Sequence, residues 1–337
     1  MEGSGTFVGL SGLLHGLAAL GHEVELRPLG RRSGFHTLDR LLYNVAVARR
    51  GPRADLVVGL DLDGFLWARR RGARFVVALK GVIADELRNE RGVTRALLSV
   101  QARWERTNTH RADRVIVPSA YSADVAAEVY GLSRAEIAVV PELIDVAGWR
   151  ARLGAVPPPA PHSPTVLTVA RMYPRKRLGD LLQAAARVVS RIPGVRFRIV
   201  GDGPEGAALR ALHTRLGLGS TVTFVGDVSA PRLAVEYVNA DCFCLPSAQE
   251  GFGIVFLEAM TAGLPIVACC AAAVPEVVTH GVTGLLVPVR DPDALAGALE
   301  RVLTQPSLAG QLGAAGQTRV DAFDLLPITR RFLEAAA

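Results

Sequence analysis

Two carboxylates with glycines between them carry the strongest signal of chemistry in this chain. Glu250 and Glu258 stand eight positions apart, and Gly251 and Gly253 follow the first of them. The glycines predict a turn, because glycine tolerates backbone angles that other residues avoid. The apolar run from Ile254 predicts a buried helix. The free N–H groups and the positive dipole end of such a helix suit a phosphate group.

The spacing suggests what each carboxylate would do. Glu258 would lie about one turn inside the helix, roughly 7 Å along an axis that rises about 1.5 Å per residue. There it would accept hydrogen bonds from a ribose diol while the helix start holds the phosphates. Glu250 would accept from hydroxyls on the other side of the phosphates. A surface glutamate, a plain turn and a solvated helix remain the alternative for this stretch taken alone.

Cations at strand ends form a second signal. Arg171 and Lys176 follow the first predicted strand of the second half, where they would neutralise a departing diphosphate without a metal ion. A basic surface loop is the alternative. Among 38 basic residues only Lys80 and Lys176 are lysine, and a compact ammonium differs from a planar guanidinium. Lys80 ends a strand in the first half, where it would face a cleft or be a solvated turn residue.

Two further turns are candidates for ligand contact. Gly201 and Gly203 follow a strand and precede a helix, and Val225 and Gly226 end the next strand. Glycine there lets the backbone approach a ligand, and Val225 and Gly226 would contact a base. The first turn is only a fragment of the dinucleotide fingerprint, so plain turns are equally compatible with it.

Metal and thiol chemistry have little support. Asp61 and Asp63 are spaced like a divalent-metal pair, but capping within a loop is the favoured interpretation. The cysteines lie in apolar runs without zinc or redox spacing, which predicts core thiols; they are Cys242, Cys244, Cys269 and Cys270.

Strands alternate with helices along the whole chain, which predicts α/β architecture with parallel sheets. The predicted strands are 55–60, 74–79, 113–118, 137–140, 165–170, 195–200, 221–225, 242–245, 265–268 and 284–287. The predicted helices are 37–50, 65–71, 92–110, 121–130, 178–191, 205–216, 231–239, 253–262, 274–279 and 292–303. We therefore predict two Rossmann-like, doubly wound domains facing across a cleft, with the ligand in that cleft.

A proline-rich segment sets the predicted domain limits. Residues 156–164 hold five prolines, which continue neither a helix nor a central strand, and predict a semi-rigid linker. Residues 1–155 would form the first domain and 165–318 the second. Residues 319–337 would form a C-terminal helix packed back on the first domain, after a break near Pro327.

The start of the chain is unusual for this architecture. Gly3 and Gly5 form a glycine-rich turn, a helical pattern follows, and residues 23–27 are predicted to be a strand. A doubly wound domain normally begins with a strand before the glycine turn, and none precedes Gly3. We therefore expect that the first strand of the N-terminal domain is missing from the sequence and that the natural reading frame begins upstream.

Composition limits the partners. The net charge is +6, of which +5 falls in residues 1–155. That excess fits an anionic lipid surface or a phosphorylated acceptor, or an arginine-rich composition with no partner. No apolar run approaches the ~20 residues needed to span a bilayer, and the first residues lack a signal-peptide pattern. We expect a cytoplasmic protein, with peripheral contact at the inner face of an anionic membrane as an option, and no nucleic-acid partner.

Taken together, these residues resemble the family-4 retaining glycosyltransferases (glycosyl transferases group 1), which have the two-domain GT-B fold. The resemblance covers nearly the whole chain. It rests on stretches 169–171 with Lys176, 200–204, 225–226, 246–260, 262–268, 274–276 and 281–287, and more loosely on 20–24 and 112–119.

The resemblance implies a hexosyltransferase (EC 2.4) that needs no metal or other cofactor. The second domain would bind a nucleotide-diphosphate sugar, with Glu258 on the ribose and Arg171 and Lys176 on the diphosphate. Glu250 and the backbone of residues 251–253, which include Phe252, would hold the sugar hydroxyls. The first domain would bind the acceptor, a glycan, glycolipid or polyprenyl-linked molecule. The acceptor would attack the face that the diphosphate leaves, and a diphosphate oxygen would take its proton.

Two departures from the family pattern bear on activity. Lys80 stands where the family commonly has a histidine that contacts the donor sugar. The strand before Gly3, which supports a glycine turn near the diphosphate and acceptor, is absent. Two other functions therefore stay open, a catalytically impaired nucleotide-sugar-binding protein and a same-fold nucleotide-sugar epimerase. The epimerase would need an acid/base set that the sequence does not offer.

Overall fold

A computed structural model describes residues 5–29, 33, 35–51, 54–69 and 73–337. The chain divides into two compact units. The C-terminal unit comprises Met1–His15 with Glu142–Pro327, and the N-terminal unit comprises Gly16–Pro141 with Ile328–Ala337. The division thus falls ahead of the predicted proline-rich boundary, and the end of the chain belongs to the N-terminal unit.

Ten strands and fourteen α-helices alternate through the described residues. The strands are β1 (Leu56–Leu60), β2 (Arg74–Ala78), β3 (Arg114–Val117), β4 (Ile137–Val139), β5 (Thr165–Val169), β6 (Arg196–Val200), β7 (Val222–Gly226), β8 (Cys242–Leu245), β9 (Ile266–Cys269) and β10 (Gly284–Val287). The helices are α1 (Gly5–Ala19), α2 (His36–Arg49), α3 (Ile83–Glu86), α4 (Gly92–Thr109), α5 (Ala120–Tyr130), α6 (Val146–Gly154), α7 (Leu178–Val189), α8 (Gly206–Arg215), α9 (Ala230–Val238), α10 (Ile254–Thr261), α11 (Val274–Val277), α12 (Pro292–Thr304), α13 (Pro306–Arg319) and α14 (Leu325–Ala336).

The C-terminal unit is built on a six-stranded parallel sheet in the order β10-β9-β8-β5-β6-β7. Its central strands are continuously apolar, as strands buried on both faces must be; all four residues of β8 and of β9 are buried. Because every strand runs the same way, the loops after β5, β6, β7 and β8 leave the sheet at one edge. That edge is where open α/β sheets bind ligands.

The N-terminal unit holds a four-stranded parallel sheet in the order β1-β2-β3-β4. Its core is separate and includes Phe75, Val77 and Val115. Helix α14 closes this unit through Arg74, whose Nε donates to the carbonyl of Ala336 at 2.5 Å. The predicted fold class, two parallel-sheet α/β domains, is confirmed.

The structure departs from the predicted elements in a few places. Residues 23–27 form no strand, and Val24 and Leu26 are exposed, so their alternation has no buried face to fill. Helix α6 was not predicted; Asp145 caps it by accepting from the Gly148 N–H at 2.8 Å. Pro327 lies in the first turn of α14, where proline is tolerated. The break in the C-terminal helices therefore lies before Pro327, between α13 and α14.

Within the part of the chain that the structure describes, no helix combines the length and the apolar character that crossing a bilayer would take.

Candidate functional site

The loops at the carboxyl edge of the C-terminal sheet are tied to one another by backbone hydrogen bonds. The Met172 N–H, after β5, donates to the Asp202 carbonyl, after β6, at 3.0 Å. The Ala248 N–H, after β8, donates to the Arg175 carbonyl at 2.8 Å. Side chains that are far apart in sequence are therefore held together at this edge.

A buried ion pair lies at the centre of this edge. Lys176 Nζ donates to Glu250 Oε1 at 2.5 Å, and the Ser247 hydroxyl donates to the same oxygen at 2.6 Å. Lys176 ends a short 3-10 helix, Pro174–Lys176, and Glu250 lies in the turn that leads to α10. Their side chains are 13% and 8% exposed, so this pair is shielded from water. The structure thus brings together the predicted cation and the first predicted carboxylate.

Glu250 is held in its charged form. Burial alone would raise the pKa of this carboxyl. The charges of Lys176 and Arg175 and the hydrogen bonds from Lys176 and Ser247 outweigh burial and lower the pKa below its usual value. An ionised carboxylate accepts hydrogen bonds and donates none, so Glu250 can accept from hydroxyl groups.

Arg171 is more open to solvent than Lys176. Its Nη1 lies 3.4 Å from Asp227 Oδ2, and the two side chains are 51% and 67% exposed. Exposed pairs of this kind contribute about 0–1 kcal/mol to stability. The pair with Asp227 therefore adds little to the stability of the fold, and breaking it would cost little.

The predicted glycine turns serve two different purposes. A Cβ at Gly201 would lie 2.2 Å from the Ala170 carbonyl oxygen, and one at Gly203 would lie 2.7 Å from the Met172 nitrogen. These glycines let the loops after β5 and β6 approach each other. Gly226 has a φ of 77° and open space where a Cβ would stand, next to the half-buried Val225. Of these turns, the one after β7 leaves the more room for a planar ligand.

The turn before α10 places backbone at the same edge. Gly253 has a φ of 93° and precedes the first helical residue, and a Cβ there would lie 2.6 Å from the Phe256 ring. Phe252 is buried and its ring packs edge-on against Phe323 at 5.7 Å. The Phe252 side chain is therefore an anchor for the turn, while Gly251 and Gly253 present only backbone.

Glu258 lies about one turn inside α10, as predicted, and is buried. It is 3% exposed, and its Oε2 accepts from the Tyr237 hydroxyl at 2.7 Å. Burial raises the pKa of this carboxyl to about 7, although the Tyr237 hydrogen bond and the charge of Arg152 oppose the rise. Tyr237 itself packs edge-on against Trp149 at 5.6 Å. The second carboxylate is thus fixed on one side by an aromatic pair.

Lys80 belongs to the N-terminal unit. Its backbone N–H donates to Asp61 Oδ1 at 2.8 Å, which fixes the turn after β2. Asp63 pairs with Arg40 and accepts from Asn44 Nδ2 at 3.1 Å. Both aspartates therefore serve the loop after β1. In the described chain no group of three or more His, Cys, Asp or Glu side chains is arranged to hold a metal ion.

The glycine-rich turn predicted at Gly3 and Gly5 lies only partly within the described residues. Gly3 lies outside the described residues, and Gly5 is the first residue of α1. Nothing in the described part of α1 tests the predicted contact of either glycine with a diphosphate.

Three polar residues of this edge have contacts that the sequence did not predict, although Ser247 and Gln249 lie within the stretch on which the resemblance rests. Ser247 and Tyr237 hold the two carboxylates, and Gln249 is buried with an Oε1 that accepts no hydrogen bond from the described residues. Ser247 adjoins the predicted turn and was detectable by position. Tyr237 lies on α9, and no spacing in the sequence relates it to Glu258.

The edge combines a shielded cation, an ionised carboxylate, an exposed arginine and glycine turns around one helix start. A helix start beside cations at the carboxyl edge of a parallel sheet suits a phosphate-containing ligand.

Comparison with known proteins identifies the class. Residues 155–319 match the family described as Glycosyl transferases group 1, and residues 26–147 match Glycosyltransferase Family 4. The chain belongs to this family of glycosyltransferases, and its two parallel-sheet units have the GT-B fold.

Several relatives are similar over part of their length. The chain is 38% identical, over 166 residues, to a GDP-mannose-dependent alpha-(1-6)-phosphatidylinositol monomannoside mannosyltransferase of Mycobacterium tuberculosis, covering 47% of this chain and 43% of the relative. It is 34% identical to a D-inositol 3-phosphate glycosyltransferase of Rhodococcus erythropolis, covering 63% and 50%. These matches therefore span about half the length of the curated relatives.

Among solved structures, the fold is similar to that of WaaG, a glycosyltransferase involved in lipopolysaccharide biosynthesis. The TM-score is 0.72 at 19% identity, and the match covers 98% of this chain and 95% of that one. At this level of identity the likeness concerns the fold alone.

Proposed function

We propose that the protein is a retaining glycosyltransferase that moves a sugar from a nucleotide-diphosphate sugar to an acceptor hydroxyl. The observation that carries this proposal is the shielded Lys176–Glu250–Ser247 cluster beside the turn that opens α10. It lies inside the segment that matches the group 1 glycosyltransferases. Glu250 would hold the sugar hydroxyls, and Arg171 and Lys176 would hold the diphosphate, as predicted from the sequence.

The diphosphate would bind between Lys176 and Arg171. Lys176 already shares its charge with Glu250, so Arg171 supplies the additional positive charge when the diphosphate displaces Asp227. The N–H groups at the start of α10 add their dipoles. Charge building up on the leaving diphosphate would then be stabilised by fixed groups, and catalysis would proceed without a metal ion.

The sugar and the ribose would lie on opposite sides of this clamp. Glu250, kept ionised, would accept hydrogen bonds from the sugar hydroxyls, and the backbone at Gly251 and Gly253 would complete that contact. The other oxygen of Glu258 would accept from the ribose while Tyr237 holds Oε2. The open backbone at Gly226 would border the base.

The relatives suggest which substrates to try first. A GDP-mannose-dependent relative acts on a phosphatidylinositol mannoside, and another is a D-inositol 3-phosphate glycosyltransferase. We therefore propose a guanosine diphosphate sugar as the donor and a lipid-linked or inositol-containing hydroxyl as the acceptor. The acceptor would bind the N-terminal unit, near an anionic membrane on the cytoplasmic side.

The first experiment measures binding and slow hydrolysis of GDP-mannose, UDP-glucose and UDP-N-acetylglucosamine with a chelator present. We expect one donor to bind and turn over without metal. Binding without hydrolysis or transfer to any acceptor tried would favour the impaired, ligand-binding alternative, and C2 or C4 inversion of the free donor sugar would favour the epimerase.

Variants then test the assignment of the clamp. Glu250→Gln should lower turnover more than donor affinity, because the charge matters for the reacting sugar. Lys176→Met should lower both by roughly tenfold or more, the loss of a charge-assisted contact worth about 1.5–3 kcal/mol. Arg187→Met, which removes an exposed cation from α7, is the matched control. Equal small effects in all three would place the diphosphate elsewhere.

A further inference from the structure

Arg177, the residue after Lys176, has an unusual backbone conformation. Its φ and ψ are 54° and 35°, in the left-handed region that residues with a side chain seldom adopt. Arg177 follows the 3-10 helix Pro174–Lys176 directly and precedes the first residue of α7. A single left-handed residue therefore separates two right-handed segments of the chain, and Lys176 is the last residue before this change of direction.

The conformation of Arg177 sets the direction in which the Lys176 side chain leaves the backbone. Helix α7 is anchored, because Leu178 and Leu181 are buried in the core of the C-terminal unit. If Arg177 were right-handed, the 3-10 helix would continue into α7, and the Lys176 side chain would turn about the chain axis. Its contact with Glu250 at 2.5 Å would then be lost.

An ion pair holds Arg177 in this conformation. Arg177 Nε and Nη2 donate to Oδ2 and Oδ1 of Asp180 at 2.8 and 2.7 Å, which is a bidentate contact. Asp180 is buried in the first turn of α7, and its backbone N–H donates to the Arg177 carbonyl at 2.9 Å. Side chain and backbone of Asp180 thus both bind the left-handed residue.

The same pair distinguishes Arg177 from the cations of the proposed diphosphate clamp. The Asp180 carboxylate binds two of the guanidinium nitrogens of Arg177 and balances its charge, and the Asp180 side chain is only 7% exposed. Arg171, by contrast, is paired with Asp227, which is 67% exposed. Arg177 therefore has little net charge to offer to a diphosphate, although it follows Lys176 in the sequence.

We propose that Arg177 and Asp180 are positioning residues for Lys176, and that their ion pair maintains the left-handed turn that directs the lysine to Glu250 and to the donor diphosphate. The backbone conformation of residue 177 matters for this role, and its charge does not. The proposal rests on the proposed function for the diphosphate, whereas the contact of Lys176 with Glu250 is a property of the fold. Glycine adopts positive φ without strain and should replace Arg177, whereas valine should not.

The first test compares Arg177→Gly with Arg177→Val. Both variants remove the guanidinium, but a β-branched residue is the least tolerant of positive φ. Arg290→Val is the matched control, because Arg290 is an exposed arginine with a φ of 60°. For donor hydrolysis, measured first with GDP-mannose, kcat/KM should fall by about tenfold or more in Arg177→Val. It should stay close to the parent value in Arg177→Gly and in Arg290→Val.

A second readout does not depend on donor chemistry. Lys80 and Lys176 are the only lysines of the chain, so brief acetylation with succinimidyl acetate, followed by mass spectrometry, reports on each of them. Lys176 is 13% exposed and paired with Glu250, and Lys80 provides the reference rate. The ratio of Lys176 to Lys80 acetylation should rise by about tenfold or more in Arg177→Val. Arg177→Gly and Arg290→Val should keep the parent ratio.

Asp180 is tested in two backgrounds. Asp180→Asn removes the bidentate acceptor and should raise the acetylation ratio and lower kcat/KM in the parent chain. In the double variant Arg177→Gly/Asp180→Asn the glycine keeps the turn without an ion pair, so Asp180→Asn should have no further effect. An equal effect of Asp180→Asn in both backgrounds would overturn the proposal, since Asp180 would then act without Arg177. This comparison also decides the question if Arg177→Val does not fold.

The two readouts separate this proposal from the proposed function. Acetylation and hydrolysis that are both unchanged in Arg177→Val would overturn the positioning role. Hydrolysis that falls equally in Arg177→Gly and Arg177→Val would also overturn it and add the Arg177 guanidinium to the clamp. A parent chain that turns over no donor, but whose variants show the expected acetylation ratios, would support the positioning of Lys176 and contradict the enzyme.

Discussion

At the scale of single residues, the two carboxylates of the Glu250–Glu258 stretch have opposite electrostatic environments. Glu250 is kept charged by Lys176, Arg175 and Ser247, whereas burial raises the pKa of Glu258 to about 7. The pKa values of these two glutamates therefore shift in opposite directions. Burial is outweighed at Glu250 by two cations and two hydrogen bonds, but at Glu258 it outweighs the Tyr237 hydrogen bond and the charge of Arg152. Their spacing was visible in the sequence, but this difference was not.

The raised pKa of Glu258 predicts a stability that depends on pH. The folded state keeps the proton to about 7, while the unfolded chain loses it near 4.5. The contribution of protonated Glu258 to the stability of the folded chain is therefore fully present below pH 4.5. It is lost as the pH rises through about 7. At about 1.4 kcal/mol per pKa unit, Glu258→Gln should be more stable than the parent chain above neutral pH by up to about 3 kcal/mol.

Urea unfolding followed through Trp149, which packs on Tyr237, measures this difference. The advantage of Glu258→Gln should shrink as the pH falls towards 4.5. The control is Glu128→Gln, which changes a carboxylate that is 72% exposed. A stability difference that does not vary with pH would show that Glu258 titrates normally.

At the scale of secondary structure, the loop glycines matter for packing as much as for ligand contact. Gly203 lies on the backbone of Met172, so the loops after β5 and β6 form one layer. The sequence indicated that a glycine was needed after β6. The backbone that approaches Gly203 belongs to the loop after β5, because β5 and β6 are neighbours in the sheet. Local sequence patterns do not predict this strand order.

Adding a methyl group at Gly203 tests how closely the loops after β5 and β6 pack. Gly203→Ala puts a Cβ 2.7 Å from the Met172 nitrogen and should destabilise the C-terminal unit by about 1–3 kcal/mol, the usual cost of overpacking. Gly297→Ala has open space within α12 and should be neutral or stabilising by up to about 1 kcal/mol. Thermal unfolding compares the two. Equal stability of both variants would mean that the β6 loop yields freely.

Secondary structure was predicted correctly where a local sequence pattern determines it. It was predicted wrongly where contacts with distant parts of the chain determine it. All ten strands were predicted, because short apolar runs between turn residues match buried parallel strands. Residues 23–27 alternate like a strand but have no sheet partner in the described chain. Helix α6 follows an Asp cap and was missed beside the proline-rich segment, whose composition dominated the local signal.

At the scale of the whole molecule, the ion pair at the site depends on topology. Lys176 and Glu250 are 74 positions apart and meet because β5 and β8 are adjacent strands of one sheet. Lys176 was predicted from its strand end and Glu250 from the glycine turn before a helix. The resemblance implied the diphosphate for Lys176 and the sugar hydroxyls for Glu250. The contact between them, and the hydrogen bond that Ser247 donates to Glu250, depend on the folded chain.

The two units have separate hydrophobic cores, so a ligand of one unit should stabilise that unit first. If the clamp at Lys176 binds the diphosphate, GDP or UDP at about 100 times its dissociation constant stabilises the C-terminal unit by about 2.7 kcal/mol. Hydrogen exchange should then slow in β5, β6 and β8, while β2 and β3 exchange as before. The Lys176→Met variant, and the parent chain with inorganic phosphate in place of nucleotide, should show a much smaller effect. Equal slowing in both sheets would mean that the nucleotide binds both units, and slowing confined to β2 and β3 would move the donor site to the N-terminal unit.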